Sequence, residues 1–187
     1  SAIARATGSG NFTVAKKIAF NGLLIAVCMS LIYTIILSFF SANVFSLLSS
    51  SKEIISDAEK YAKVGFGGAI ITWLFFALSS ILRGLGDTYT PAKAIIIAGF
   101  LQVILSGIFT LGFGGVIDLG IVGPAAAMII CHALASLFLI PKIIGSNLLL
   151  KRQDLALDWR AVCQILKVGG LGLVNSATIA LTIVIVT

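Results

Sequence analysis

Residues 93–118 read KAIIIAGFLQVILSGIFTLGFGGVID. No charged residue lies between Lys93 and Asp118, and this uncharged run is longer than the roughly 20 residues that an α-helix needs to cross a bilayer. Apolar and polar residues do not alternate along it, as they would in a strand of a membrane β-barrel. A helix satisfies its own backbone hydrogen bonds in lipid. The stretch therefore predicts a transmembrane helix.

The same pattern recurs along the chain, which is 59% apolar and only 11% charged, with a mean hydropathy of +1.12. A soluble domain carries about 25% charged residues. The sequence thus predicts an all-α fold, a polytopic bundle of transmembrane helices. The predicted spans are residues 22–48, 62–82, 92–114, 119–141 and 168–187, with a short surface helix at 50–63. Because the chain starts without Met and ends inside an apolar run, we interpret it as part of a larger membrane protein.

The distribution of Lys and Arg predicts the orientation, since these residues favour the cytoplasmic side. Three of them lie before the first span, two between the second and third, and five after the fourth. The other side has only three, offset by acidic residues. Residues 1–21, 83–91 and 142–167 are therefore predicted to be cytoplasmic loops. The formal charge of +6 follows from this topology and from attraction to anionic lipid, and the dispersed charges do not indicate nucleic-acid binding.

Residues 81–91, ILRGLGDTYTP, are predicted to form a structural turn between two spans. Arg83 would end one helix, Gly84 and Gly86 would adopt the left-handed conformation, Thr90 would cap the next helix, and Pro91 would be its first residue. Residues 4–11, ARATGSGN, repeat this outline, with an arginine followed three residues later by a glycine. This turn motif is predicted to be structural, and its two glycines are not predicted to bind phosphate. The residues of the motif are Arg83, Gly84, Gly86, Asp87, Thr88, Thr90 and Pro91.

The sequence resembles the multidrug and toxic compound extrusion (MATE) transporters. The resemblance rests on ARATGSGN and ILRGLGDTYTP, on DLGIVGPAAAMIICH at 118–132, and on LDWRAVCQILKVGGLG at 157–172. It implies that residues 1–141 are the tail of helix 2 and helices 3–6 of the first lobe of a two-lobe transporter with six helices in each lobe. Residues 142–167 would be the cytoplasmic lobe connector, and residues 168–187 the start of helix 7.

The resemblance also implies a function. It predicts a secondary active antiporter in the plasma membrane, the inner membrane of a bacterium or archaeon, that exports organic and often cationic or amphipathic compounds by alternating access. Export would be driven by exchange for Na⁺ or H⁺, with no other cofactor and with the ion site outside this stretch. The bilayer and the remaining helices of the parent chain would be its partners.

Polar and aromatic residues inside the spans are the candidates for substrate or ion binding. Gln102 and Ser106 share one helical face, and the family has an Asn and often an Asp at similar positions, so the charge of an ion site is missing here. His132 is either a proton relay or a hydrogen-bonded structural residue; the family often has Gln there, which favours hydrogen bonding. Tyr33 and Trp73 are candidates for a cationic guest. The small residues GPAAA at 123–127 predict close helix packing.

Two other classes of protein remain open. One is a lipid-linked oligosaccharide flippase with a similar first lobe, for which a basic cavity is expected, whereas the Lys and Arg residues here fall at or beyond the span ends. The other is a non-transporting subunit of a membrane complex. An enzyme is not predicted, since no carboxylate pair, nucleophile arrangement or metal-ligand cluster lies within the spans, and the three cysteines are dispersed.

Overall fold

The computed structural model describes residues 2–48, 51–112, 118–146, 157–163, 165–167 and 169–170. Within these ranges the regular structure is helical, which confirms the all-α prediction. The elements are α1 (Ala2–Gly8), α2 (Phe12–Leu48), α3 (Lys52–Gly67), α4 (Ala69–Gly84), α5 (Tyr89–Leu111), a 3₁₀ turn (Gly120–Val122) and α6 (Gly123–Ile144). The fifth predicted span, 168–187, lies outside the described residues except for 169–170.

The spans predicted at 92–114 and 119–141 agree closely with α5 and α6, and helices Tyr89–Leu111 and Gly120–Ile144 are long and apolar enough to cross a membrane. The predicted start of the first span at residue 22 is wrong, because α2 begins at Phe12 and its apolar part runs from Phe12 to Ser41. Residues 2–21 therefore form α1, a turn and the start of α2, not a loop. Lys side chains can reach the headgroups from within a helix end, so Lys16 and Lys17 do not stop α2.

The second predicted span begins beside a break between two helices. Helices α3 and α4 meet at 47° across a break at Gly68, so the predicted boundary between a surface helix at 50–63 and a span starting at 62 is wrong. A Cβ at Gly68 would overlap the side chain of Ile129 on α6, which explains why glycine lies at the break. The Thr34 hydroxyl donates a hydrogen bond of 2.7 Å to the carbonyl of Phe66. This bond satisfies a carbonyl beside the break, as a bent membrane helix requires.

Two apolar clusters hold the helices together. One lies between α4, α5 and α6 and contains Phe75, Leu78, Leu82, Ala94, Ala98, Cys131, Ala135 and Leu139. The small residues predicted to allow close packing include Gly123, Ala125 and Ala127, all of which are buried. At the start of α6 a Cβ on Gly123 would lie 2.8 Å from the Thr110 amide nitrogen on α5. Helices α5 and α6 therefore approach each other to within backbone contact, as in other membrane interfaces of small residues.

The second cluster collects the ends of the helices that are predicted to face the cytoplasm. It joins the end of α4 and Ala161 to α1 and the start of α2, and Ile143 at the end of α6 packs against it; its buried members are Ile3, Ala6, Ala15, Ile18, Ala19, Ile81 and Ala161. The described parts of the three segments predicted to be cytoplasmic thus lie at one end of the bundle.

The turn after α4 is built around Gly86, whose φ is +94°. Its amide donates to the carbonyl of Arg83 at 3.2 Å, and the amide of Asp87 donates to the carbonyl of Leu82 at 3.0 Å. These two bonds form a Schellman motif, which places glycine at the left-handed position. The prediction for Gly86 is confirmed, but that for Gly84 is wrong, since Gly84 is a buried residue of α4.

Asp87 then caps the next helix, a role that the sequence analysis gave to Thr90. Helix α5 begins at Tyr89, and the Asp87 carboxylate accepts a 2.9 Å hydrogen bond from the amide of Thr90. The Thr90 hydroxyl and amide lower the pKa of Asp87, with Lys142 contributing a smaller attraction. Pro91 is consequently the third helical residue and not the first.

The turn between α1 and α2 has hydrogen bonds equivalent to those of the turn between α4 and α5. Gly10 has φ +73°, the amide of Asn11 donates to the carbonyl of Ala6, and the Asn11 side chain accepts from the amide of Val14 at 3.2 Å. The repeat predicted from the sequence is real, but its register was wrong by two residues. The glycines Gly10 and Gly86 correspond to each other, and the arginines do not.

We expect Asp87→Ala to destabilise the protein by about 1 kcal/mol, since it removes a helix cap. Asp87→Asn should retain most of the stability at neutral pH, because Asn11 makes the equivalent bond. The depressed pKa of Asp87 adds stability above the ordinary carboxyl pKa, and this is lost as the pH falls through the lower folded value. Thermal unfolding of the full-length parent in detergent across the acid range measures both effects. An Asn variant as unstable as the Ala variant would contradict the capping role.

Candidate functional site

His132 on α6 packs into a group of side chains on α4, which we call the imidazole group: Thr72, Phe75, Phe76 and His132. The Thr72 hydroxyl and His132 Nδ1 lie 3.1 Å apart. The Phe75 ring stacks on the imidazole with centroids 4.9 Å apart and an interplanar angle of 15°, and Phe76 meets it edge-on at 5.7 Å. The imidazole is therefore fixed by one hydrogen bond and two rings, although the side chain is only half-buried.

A second set of rings lies where α2 meets the bend, and we call it the tyrosine group: Tyr33, Phe66 and Trp73. Tyr33 meets Phe66 edge-on at 5.4 Å and lies 6.4 Å from Trp73. Tyr33 is 42% and Trp73 38% exposed in the described bundle. The bend after Phe66 brings these rings together, because it lets α3 and α4 both contact α2.

Gln102 and Ser106 lie half-buried on α5, four residues apart and so on one face. The described structure gives neither side chain a hydrogen bond to the imidazole group or the tyrosine group. The five candidate residues thus separate into three places: His132 on α6, Tyr33 with Trp73 beside the bend, and Gln102 with Ser106 on α5. Their roles in binding stay predictions.

The candidate residues at these positions include no carboxylate. In the described part of the chain, no three His, Cys, Asp or Glu side chains are grouped to hold a metal ion. The tyrosine group offers ring faces that attract an organic cation. The imidazole group offers a hydrogen bond between two helices, of a kind worth about 0.6–2 kcal/mol in membranes.

The sequence analysis missed three polar residues that the structure makes prominent. Thr72 bonds to His132 across 60 residues of sequence, and the Asn21 side chain is fully buried on α2. The hydroxyl of Ser79, also fully buried on α4, has no hydrogen-bond partner among the described residues. A polar residue within an apolar run is the signal that could have found all three.

These features define a multi-pass helical membrane protein, with three membrane-spanning candidates among the described residues, or four if the bent pair is one span. The MatE family model matches residues 1–108. The chain belongs to this family, which confirms the resemblance to MATE transporters. Family members are transporters and not enzymes.

Two individual relatives support this family assignment. "Probable multidrug resistance protein NorM" of Thermotoga maritima is 30% identical over 176 residues, which cover 89% of this chain and 36% of that protein. "Probable multidrug resistance protein YoeA" of Bacillus subtilis is 28% identical over 128 residues, covering 68% of this chain and 28% of that protein. The chain therefore spans about a third of the length of these relatives.

The fold is also similar to that of a solved transporter. A multidrug resistance MATE family transporter of the MOP superfamily, in an inward-facing conformation, superposes with a TM-score of 0.82 at 26% identity. The match covers 90% of this chain and 38% of the solved chain.

Proposed function

We propose that the parent of this chain is a secondary active antiporter of the plasma membrane, the inner membrane of a bacterium or archaeon. It exports organic, often cationic compounds in exchange for Na⁺ or H⁺ by alternating access. In this proposal residues 1–141 belong to the first lobe, residues 142–167 connect the lobes, and residues 168–187 begin the second lobe. The ion site lies in helices outside this chain, because Ser106 lacks the charge that would hold a cation.

The observation that carries the substrate class is the pair of partly exposed rings, Tyr33 and Trp73, beside the bent span. Aromatic faces attract cations without a buried opposite charge, and apolar surface with few polar groups is typical of small-molecule sites. An oligosaccharide flippase would need basic residues to hold a pyrophosphate. In α2, α4, α5 and α6 the Lys and Arg residues lie within six residues of a helix end, so the tyrosine group fits an organic cation better.

The experiment measures ethidium accumulation in a pump-deficient bacterium that expresses the full-length parent. We expect accumulation to fall relative to cells without the parent, and to rise again when the Na⁺ gradient or the proton gradient is dissipated, which identifies the coupling ion. Unchanged accumulation across a panel of cationic dyes would favour the flippase or the non-transporting subunit.

We expect Trp73→Ala to reduce ethidium export several-fold, because it removes the larger ring of the exposed pair. Trp159→Ala is the matched control, since Trp159 is 69% exposed and lies outside the spans. Both variants are measured at equal membrane abundance. Equal export by the two variants would remove the tyrosine group from the substrate path.

For His132, the proposal assigns a hydrogen-bonding role. We expect His132→Gln to export within about twofold of the wild type, because an amide can still bond to the Thr72 hydroxyl. His132→Leu should instead lower the thermal stability of the parent, by about 0.6–2 kcal/mol for the lost interhelical bond. Loss of export in a stable, abundant Gln variant would show that the imidazole carries a proton.

A further inference from the structure

The connector segment, residues 157–163 and 165–167, lies against the end of the bundle that is predicted to face the cytoplasm. Residues 159–163 are helical, and the Asp158 carboxylate begins this helix by accepting hydrogen bonds from the amides of Arg160 at 3.0 Å and Ala161 at 3.4 Å. Ala161 and Val162 are only 5% and 8% exposed. On the opposite side, Leu157 and Trp159 are exposed. The connector segment therefore has one face on the bundle and one face outward.

The contact has a polar centre at Asn21. Its side chain is fully buried on α2, where a polar group is costly unless it is hydrogen-bonded. The Asn21 amide group donates to the carbonyl of Lys17 at 2.8 Å, and its oxygen accepts from the backbone amide of Asp158 at 3.1 Å. One side chain thus joins α2 to the residue that begins the connector helix.

Apolar contacts surround this bond. Ala161 belongs to the cluster formed by α1, α2 and the end of α4, and Ile165 packs against it. A Cβ at Gly22, the residue after Asn21, would lie 3.9 Å from the Ile165 methyl group. The absence of a side chain at Gly22 gives Ile165 direct access to the surface of α2.

We infer that Asn21 is a positioning residue that fixes the connector segment to the first lobe, and that the segment moves with this lobe as one body during transport. The joint motion during transport rests on the proposed function. The physical reason is that release would break the hydrogen bond between the Asn21 amide oxygen and the Asp158 amide and would expose Ala161 and Val162, and both changes disfavour an undocked segment. Flexibility between the lobes would then have to lie outside residues 157–167.

The first test is independent of transport. Full-length parent in detergent is treated with trypsin, and cleavage after Arg160 and Lys167, both exposed, is followed over time. Asn21→Leu should raise the cleavage rate at these two sites several-fold. Gln102→Leu is the matched amide-to-apolar control on α5 and should leave it unchanged. An Asn21→Leu protein that is folded and cleaved at the wild-type rate would overturn the anchoring role.

The second test keeps Asn21 and therefore does not depend on whether the Leu variant folds. Gly22→Cys and Ile165→Cys are combined in a parent in which Cys28, Cys131 and Cys163 are replaced by Ala. We expect an oxidant to cross-link the pair, and the cross-linked protein to export ethidium within about twofold of its reduced form. Absence of the cross-link, or export that is lost on oxidation and restored by reductant, would overturn the inference. If the wild-type parent exports nothing, the proposed function fails, whereas trypsin and the cross-link still decide the docking.

Discussion

Gly123→Ala should destabilise the parent by about 1–3 kcal/mol, the usual effect of extra atoms in a closely packed interface. The new Cβ would lie 2.7 Å from Thr110 Oγ1 and 2.9 Å from the carbonyl carbon of Phe109. The hydroxyl can rotate away, but the α5 backbone cannot, so the two helices must separate. Thermal unfolding of the full-length parent in detergent measures the loss.

Gly99→Ala is the control for this prediction. Gly99 is also a helical glycine, on α5, but a Cβ there would meet nothing within 4 Å. Alanine forms helices better than glycine by about 0.8–1.0 kcal/mol, so this variant should be as stable as the wild type or slightly more stable. Opposite signs for the two variants are the expected result. A Gly123→Ala protein as stable as Gly99→Ala would show that α5 and α6 do not touch at this point.

Phe75→Ala should produce the other large effect, a loss of about 2–3 kcal/mol. Phe75 is 1% exposed and stacks on His132. In a membrane, the lipid around an unfolded chain is as apolar as the interior of the folded bundle, so burying the Phe75 ring gains little hydrophobic free energy. The loss of stability in Phe75→Ala therefore comes mainly from the cavity and from the lost contacts. We therefore expect a value below the 3–5 kcal/mol that is typical of soluble proteins.

The matched control is Phe100→Ala, because Phe100 is 72% exposed on α5. Its removal should change the unfolding temperature little. His132 offers a second measurement: without Phe75 the imidazole loses one ring face, so reaction with diethyl pyrocarbonate should become faster. If Phe75→Ala and Phe100→Ala had equal stability, the cluster between α4, α5 and α6 could not be a packed core.

The sequence predicted the helices best where charges coincide with helix ends. Lys93 and Asp118 delimit α5 and the start of the next span, and the predictions there agree with the structure to within a few residues. The start of α2 was missed because Lys16 and Lys17 were interpreted as a loop. The bend at Gly68 was missed because a glycine indicates close packing as readily as a break, and Gly68 has both: it contacts Ile129 and lies where α3 and α4 meet at 47°.

The candidate site was less predictable. A polar side chain within an apolar run made His132 a candidate, but its partner Thr72 lies 60 residues away in the sequence, and spacing carries no information about contacts between helices. The same limit applies to Asn21, whose partner Asp158 is 137 residues away. By contrast, the turn at Gly86 could be predicted in outline because its bonds join neighbouring residues. The helix cap was predicted at Thr90 and lies at Asp87, because either side chain could have supplied it and the sequence alone does not decide between them.

The two glycine turns have a consequence for biosynthesis. Every bond in them joins residues at most five apart, so no distant part of the chain is needed for their formation. Contacts of this kind form quickly, and each turn joins one helix to the next. The two connections, at Gly10 and Gly86, can therefore form while the rest of the bundle is still being synthesised, before α2, α4 and α6 meet.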